Sequence, residues 1–195
     1  MKNRFNVSDE KAMLCRFHVQ TGGSTLTAQQ VENNIARTTI QALSAVLGGA
    51  QSLHTNSFDE ALALPTINSA KIALRTQQII AHETGVTNYV DPLANSEQVE
   101  ELTKKMIDDV RYILEEVDSK GGAIDAIKDG WIQDEISNSS YKFQQSIDAK
   151  EKIVVGLNKY IEDEEIDINL QKIEENALKK QLAGIRKLKN NRDNA

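Results

Sequence analysis

A chain of 195 residues with 39% hydrophobic and 27% charged side chains has the length for one medium domain, or a domain with an appendage, and the composition of a globular protein. Its formal net charge of −6 excludes a general affinity for nucleic acid. No apolar run approaches the roughly 20 residues needed to cross a bilayer, and the opening MKNRFNVSDEK lacks the apolar stretch of a secretory signal, so the expected location is the cytoplasm. The single cysteine, Cys15, excludes a disulfide within the chain; between Leu14 and Arg16 on a predicted strand it suits a small buried hydrophobe better than a nucleophile.

Taken in order, residues 13–21 read as a strand through Leu14, Phe17 and Val19, broken by Gly22-Gly23. Thr27 and Gln30 have the spacing of a capping box and open a helix whose Val31, Ile35, Ile40, Leu43 and Leu47 share one face, stopped by Gly48-Gly49. Residues 50–56 read as a second short strand. After Pro65 a helix is predicted over 68–85, with Ile72, Leu74, Ile79 and Ile80 buried and Gly85 at its end. Strand, helix, strand, helix implies parallel strands joined by helical crossovers. Two such strands leave open edges and uncovered faces, which points to partners.

From Ser96 the pattern is helical. Val99, Leu102, Met106, Val110, Ile113, Leu114 and Val117 recur at steps of three and four, and shorter and longer helices follow over 121–130 and 131–150. IVVGLNKYI, 153–161, is a strand or an extended connector, and EDEE, 162–165, a solvated turn. Leu170, Ile173, Ala177, Leu182, Ile185 and Leu188 then mark an amphipathic helix over 168–191. The six basic residues against one acidic between Asn176 and Ala195 flank that stripe and are expected to extend over a packed helix rather than bind nucleic acid.

Side chains alternate along a strand, so Arg16, His18 and Gln20 share one face, with Phe17 and Val19 on the other. Ser52, His54 and Asn56 repeat the pattern on the second strand. In a βα barrel such strand exits open into the active-site mouth, which makes His18 and Gln20 candidates; a buried imidazole tied to a loop carbonyl is the competing structural role. The hinge GGSTLT stands before a helix N-terminus, where glycines either let a ligand approach the backbone or simply make the turn. Glu60 follows the second strand and suits a sugar hydroxyl; alternatively Asp59 and Glu60 only stabilise a helix start. The histidines at 18, 54 and 82 have no local partners at ligand spacing, so no metal site is expected.

RFHVQTGGSTLTAQQ, ENNIARTTIQALSAVLGGAQSLHTNSFDEALALPT, ALRTQQIIAHETGV, DPLANSEQVEELT, GGAIDAIKDGWIQDEI and IVVGLNKY resemble, in order, segments of the large subunit of the methylmalonyl-CoA mutase family, adenosylcobalamin-dependent acyl-CoA mutases. The resemblance spans about Met13 to the end. It implies an α/β fold: the last two strand–helix units of a (β/α) TIM-type barrel over 1–94, followed by an all-helical extension over 95–195. It also implies a radical 1,2-rearrangement of an acyl-CoA with adenosylcobalamin as cofactor. The expected partners are the acyl-CoA, a chain supplying the earlier barrel units, and a cobalamin-binding subunit carrying the cobalt ligand.

By the same resemblance Gln20 is a substrate contact, His18 a positioning residue at the same mouth, and Gly23 the glycine against the corrin. Glu60 bonds the adenosyl ribose, with Ala61 and Ala63 beside the cofactor. One departure stands after Asp91-Pro92-Leu93-Ala94, where glycine and aromatics give way to Asn95-Ser96-Glu97-Gln98. The reading from a different class is a catalytically inactive truncated fragment, or a scaffold whose helices from Ser96 onward bind a mutase partner.

Overall fold

The computed structural model describes residues 2–163, 168–172 and 175–193. After a single turn, α1 (Lys2–Phe5), the chain reaches β1 (His18–Gln20), crosses through α2 (Asn33–Leu47) to β2 (Ser52–His54), and continues into α3 (Ile67–Glu83). The strands pair in parallel with His18 opposite Ser52, Val19 opposite Leu53 and Gln20 opposite His54. A helical crossover makes that direction possible, as the order of elements implies. The fold is α/β and mostly helical, with one small parallel sheet among the described residues.

Both strands are shorter than expected, and the reason is local. Glu10–Met13 is a 3-10 turn, so Met13 is not in the strand. Below His18 the ladder is replaced by a side chain: Gln51 Oε1 accepts from Phe17 N at 2.7 Å and Gln51 Nε2 donates to Cys15 O at 3.2 Å. Cys15 is exposed, which corrects the expectation of a buried hydrophobe; it lies outside the strand, on a segment no described element covers.

The expected capping box is also absent. Gln30 adopts a left-handed φ of 44°, and α2 begins only at Asn33. Thr27 binds through its backbone instead, N to Asn34 Oδ1 at 3.1 Å and O from Asn34 Nδ2 at 2.8 Å. A carboxamide on the second residue of the helix thus satisfies the loop that the hydroxyl was expected to close. By contrast α3 has an ordinary cap: Thr66 Oγ1 accepts from Ser69 N at 3.1 Å.

The helices α2 and α3 pack against each other. Their buried positions are Asn34, Thr38 and Ala42 on one, and Ser69, Ala73, Thr76 and Ile80 on the other. Of the residues expected in this core, Val31 and Ile80 are buried, whereas Ile40, Leu74 and Ile79 are exposed. Small and polar side chains make the interface, which lets the helix backbones approach closely and pushes the larger apolar groups outward.

Beyond Ser96 come α4 (Glu97–Ser119), α5 (Ala123–Lys128), α6 (Trp131–Asp148) and α7 (Glu175–Asn191). The short α5 packs on α6 and α4, with Ala126 and Ile147 buried. The predicted stripe of α4 exists but faces outward: Leu102 is 66% and Met106 69% exposed. On α7, Leu178, Leu182, Ile185 and Leu188 are exposed as well. That helix starts later than predicted; Ile173 and residues 164–165 of the acidic run lie outside the described residues. No described helix is long and apolar enough to cross a membrane.

The segment 153–161 is a compact turn rather than a strand. It carries one isolated bridge, Val155 to Lys159. Asn158 organises it, accepting from Val154 N at 2.8 Å and donating to Ile147 O at 2.9 Å and Lys152 O at 2.7 Å. Gly156 holds a φ of +81° and lies against Gln30, where an added Cβ would come within 3.1 Å of the Gln30 side chain. Only glycine meets both demands.

Candidate functional site

The pleat sorts the sheet residues into two sets. His18, Gln20, Ser52 and His54 are exposed, while Val19 and Leu53 between them are half-buried. The polar face is cross-linked. His18 Nδ1 and Ser52 Oγ share a hydrogen bond of 2.7 Å, and Gln20 Nε2 donates to Asn56 Oδ1 at 2.8 Å. Neither strand histidine is buried, so the competing structural role, a buried imidazole, is not the one observed.

At the carboxyl end of the strands the chain is held more tightly. Thr21 N donates to His54 O at 3.1 Å and extends the ladder by one bond. Asn56 N then donates to Thr21 Oγ1 and Asn56 Nδ2 to Thr21 O, both at 2.9 Å. Asn56 is 2% exposed, and its carboxamide ties the exit of β1 to that of β2. Sequence reasoning placed Asn56 on the polar face without assigning it a role; the signal was its alternation with Ser52 and His54.

Two turns meet at this end. The first carries Gly22 and Gly23 and is fixed by Gln41, whose Oε1 accepts from Gly22 N at 2.6 Å and whose Nε2 donates to Thr25 Oγ1 at 2.7 Å. The second, residues 57–63, carries Glu60, Ala61 and Ala63. A Cβ added to Gly23 would lie 2.5 Å from Glu60 Oε1 and 3.1 Å from Asn56 Nδ2. Gly23 and Glu60, 37 positions apart in the sequence, are therefore in contact, and the contact exists because residue 23 has no side chain.

Within the second turn Asp59 and Glu60 behave differently. Asp59 is fully buried, and its Oδ2 accepts from Thr66 N at 3.3 Å at the start of α3, so it supports that helix as the structural alternative anticipated. Its Oδ1 has no protein partner. Glu60 and Ala61 are exposed and Ala63 half-buried. Glu60, Ala63, His54 and Ser57 line a cavity of about 540 Å³ between the turn and α3, with Leu64, Leu74 and Gln77. Gln77 Nε2 donates to Leu53 O and to Thr55 Oγ1, both at 3.1 Å.

Behind both turns stands Asn34, fully buried. Besides its bonds to Thr27 it donates to Phe58 O at 2.9 Å, and Arg37 Nη1 donates to Asn34 Oδ1 at 2.7 Å and to Thr27 Oγ1 at 2.9 Å. Neither residue was singled out from the sequence, where both read as the polar side of an amphipathic helix. No group of three or more metal-ligating side chains occurs among the described residues.

A surface of glycine and alanine bordered by one exposed carboxylate and one tethered carboxamide suits a broad, flat, largely apolar ligand with a hydroxyl-bearing arm. Gly23, Ala61 and Ala63 add little side-chain bulk beside the exposed Glu60 carboxylate, and in that chemistry these residues fit the cobalamin group expected from the sequence.

The family model described as methylmalonyl-CoA mutase matches residues 1–195. The chain is 44% identical over 196 residues to the 2-hydroxyisobutanoyl-CoA mutase large subunit of Aquincola tertiaricarbonis, covering 100% of the chain and 35% of that relative. It is 42% identical over 192 residues to methylmalonyl-CoA mutase of Escherichia coli, covering 98% and 27% respectively. With the mitochondrial methylmalonyl-CoA mutase of Homo sapiens the identity is 39% over 196 residues, 100% of the chain and 26% of the relative. The chain thus spans about a quarter to a third of the length of these curated relatives.

Proposed function

Because the chain belongs to the methylmalonyl-CoA mutase family, we propose that it supplies one part of an adenosylcobalamin-dependent acyl-CoA mutase, an isomerase that carries out a radical 1,2-rearrangement of a short-chain acyl-CoA. Residues 1–94 are the last two strand–helix units of its TIM-type barrel and 95–195 a helical extension. The earlier barrel units and a cobalamin-binding part complete the enzyme. The observation that carries this reading is the parallel pairing of β1 with β2, with His18 and Gln20 on one polar face and Gly23 against Glu60 at the strands' carboxyl end.

In this reading Gln20 contacts the acyl group. Its bond to the buried Asn56 fixes the carboxamide before substrate arrives, so little rotamer freedom is lost on binding. His18, bonded to Ser52, is a positioning residue on the same face. Gly23 lies against the corrin, Glu60 accepts from the adenosyl ribose, and Ala61 and Ala63 keep the cofactor surface flat. Bound adenosylcobalamin supplies the radical that removes a substrate hydrogen; the protein binds, orients and excludes water.

The test is to combine the chain with the complementary barrel units and the cobalamin-binding subunit and measure adenosylcobalamin-dependent isomerisation of branched short-chain acyl-CoAs. Turnover that disappears with Gln20→Ala supports the reading; a complex that forms without turnover under any combination overturns it. The outward apolar stripe of α4 favours one second reading, an inactive scaffold that binds a mutase partner through its helices. A complex that forms, and that binds no cobalamin in a visible-absorbance titration, would decide for the scaffold.

A further inference from the structure

We infer that Arg37 is a positioning residue that couples the seating of the 153–161 turn to the placement of both turns at the carboxyl end of the sheet. Arg37 joins its own helix, at Asn34, to two separate segments, the loop at Thr27 and the 153–161 turn. Nη2 donates to Val155 O at 2.7 Å, and Nη1 donates to Thr27 Oγ1 at 2.9 Å and Asn34 Oδ1 at 2.7 Å. From Asn34 the connection continues to Thr27 O and to Phe58 O, the residues flanking the Gly23 loop and opening the Glu60 turn. A guanidinium suits this task because its donors are fixed in a plane and reach several carbonyls together, which an ammonium on a flexible stem does not.

The far side of the brace is equally specified. Asn158 shapes the 153–161 turn so that Val155 O faces α2, and Gln30 Nε2 donates to Tyr160 O at 2.8 Å as a second attachment. Gly156 is left without a side chain where it meets Gln30. The elements that would hold the cofactor are thus tied to a segment at least 90 residues away in sequence. Buried Asn34 joins them in a low-dielectric setting, where a lost partner is costly. The functional weight of the brace rests on the reading of Gly23 and Glu60 as cofactor contacts; the coupling itself does not.

The coupling is tested by hydrogen exchange on the full chain without cofactor, comparing the parent with Arg37→Lys, Asn158→Ala and the double variant, and with urea midpoints recorded alongside. Asn158 is bonded within the distant turn and to the end of α6, and to neither turn at the sheet, so it probes transmission. Roughly tenfold faster exchange at residues 23–27 and 57–63 is expected in each single variant, with the double variant no faster than Arg37→Lys. Additive effects, or acceleration confined to 153–161 in Asn158→Ala, would overturn the inference. Should Arg37→Lys fail to fold, Asn158→Ala alone decides on the same criterion. Coupling found by exchange together with unchanged adenosylcobalamin affinity of the assembled variant would retain the brace and remove the cofactor role from Gly23 and Glu60.

Discussion

Gly23 illustrates how a missing side chain makes a contact. The 2.5 Å from a virtual Cβ to Glu60 Oε1 is tight, but the carboxylate is the mobile end of an exposed side chain and can move aside. Asn56 Nδ2, 3.1 Å from the same position, is buried and bonded to Thr21 O and has less room to give, so Gly23→Ala is expected to cost about 1–2 kcal/mol while displacing Glu60. In the proposed assembly, if Glu60 accepts from the cofactor, the displaced carboxylate should weaken adenosylcobalamin binding by roughly tenfold or more, the loss of one charge-assisted hydrogen bond. Thermal unfolding by circular dichroism and a visible-absorbance titration read the two effects separately.

Asn34 gives the opposite result. Its truncation to alanine strands Thr27 N, Thr27 O and Phe58 O in the interior, so Asn34→Ala is expected to cost roughly 2–3 kcal/mol in a urea unfolding curve. Glu60 and Gly23 were legible in the sequence because a family resemblance named them. Asn34 was not, since a buried asparagine in a helix has the same one-dimensional signature as a solvated one.

Among the elements, the order strand, helix, strand, helix and the parallel direction were both readable, because crossover length alone dictates direction. Boundaries were less so. The expected capping box at Thr27 and Gln30 failed because Asn34, seven residues on, takes the place of Gln30 as acceptor for Thr27 N and donates to Thr27 O as well. The strands were overestimated at their amino ends because a single glutamine, Gln51, replaces ladder bonds with its carboxamide, and at their carboxyl ends because Thr21 and Asn56 pair through side chains. For α3 the ordinary rule holds: Thr66→Ala, which removes the acceptor for Ser69 N, is expected to lower stability by about 1 kcal/mol, with Thr66→Ser close to neutral. Chemical denaturation of the two variants separates capping from the loss of a methyl group.

At the scale of the whole molecule, apolar periodicity located α4 and α7 but said nothing of what covers them. The stripe on α4 is presented outward through its middle, with Leu102, Met106, Val110 and Ile113 all exposed, while Val99 and Val117 at its ends are half-buried. Contiguous apolar surface of this kind drives association. Met106→Lys combined with Ile113→Lys is expected to reduce concentration-dependent light scattering of the purified chain without lowering its thermal midpoint. A lowered midpoint would mean that the stripe is part of the chain's own core.

The bond from Arg37 to Val155 joins positions 118 apart, so the four helices α3 to α6 between them form a lariat fastened at its neck. Chain statistics put the entropy of fastening such a loop at about 4 kcal/mol, yet doubling its length would add only about 0.6 kcal/mol. Insertions in the excursion should therefore be far easier for evolution to accommodate than a single change at the knot.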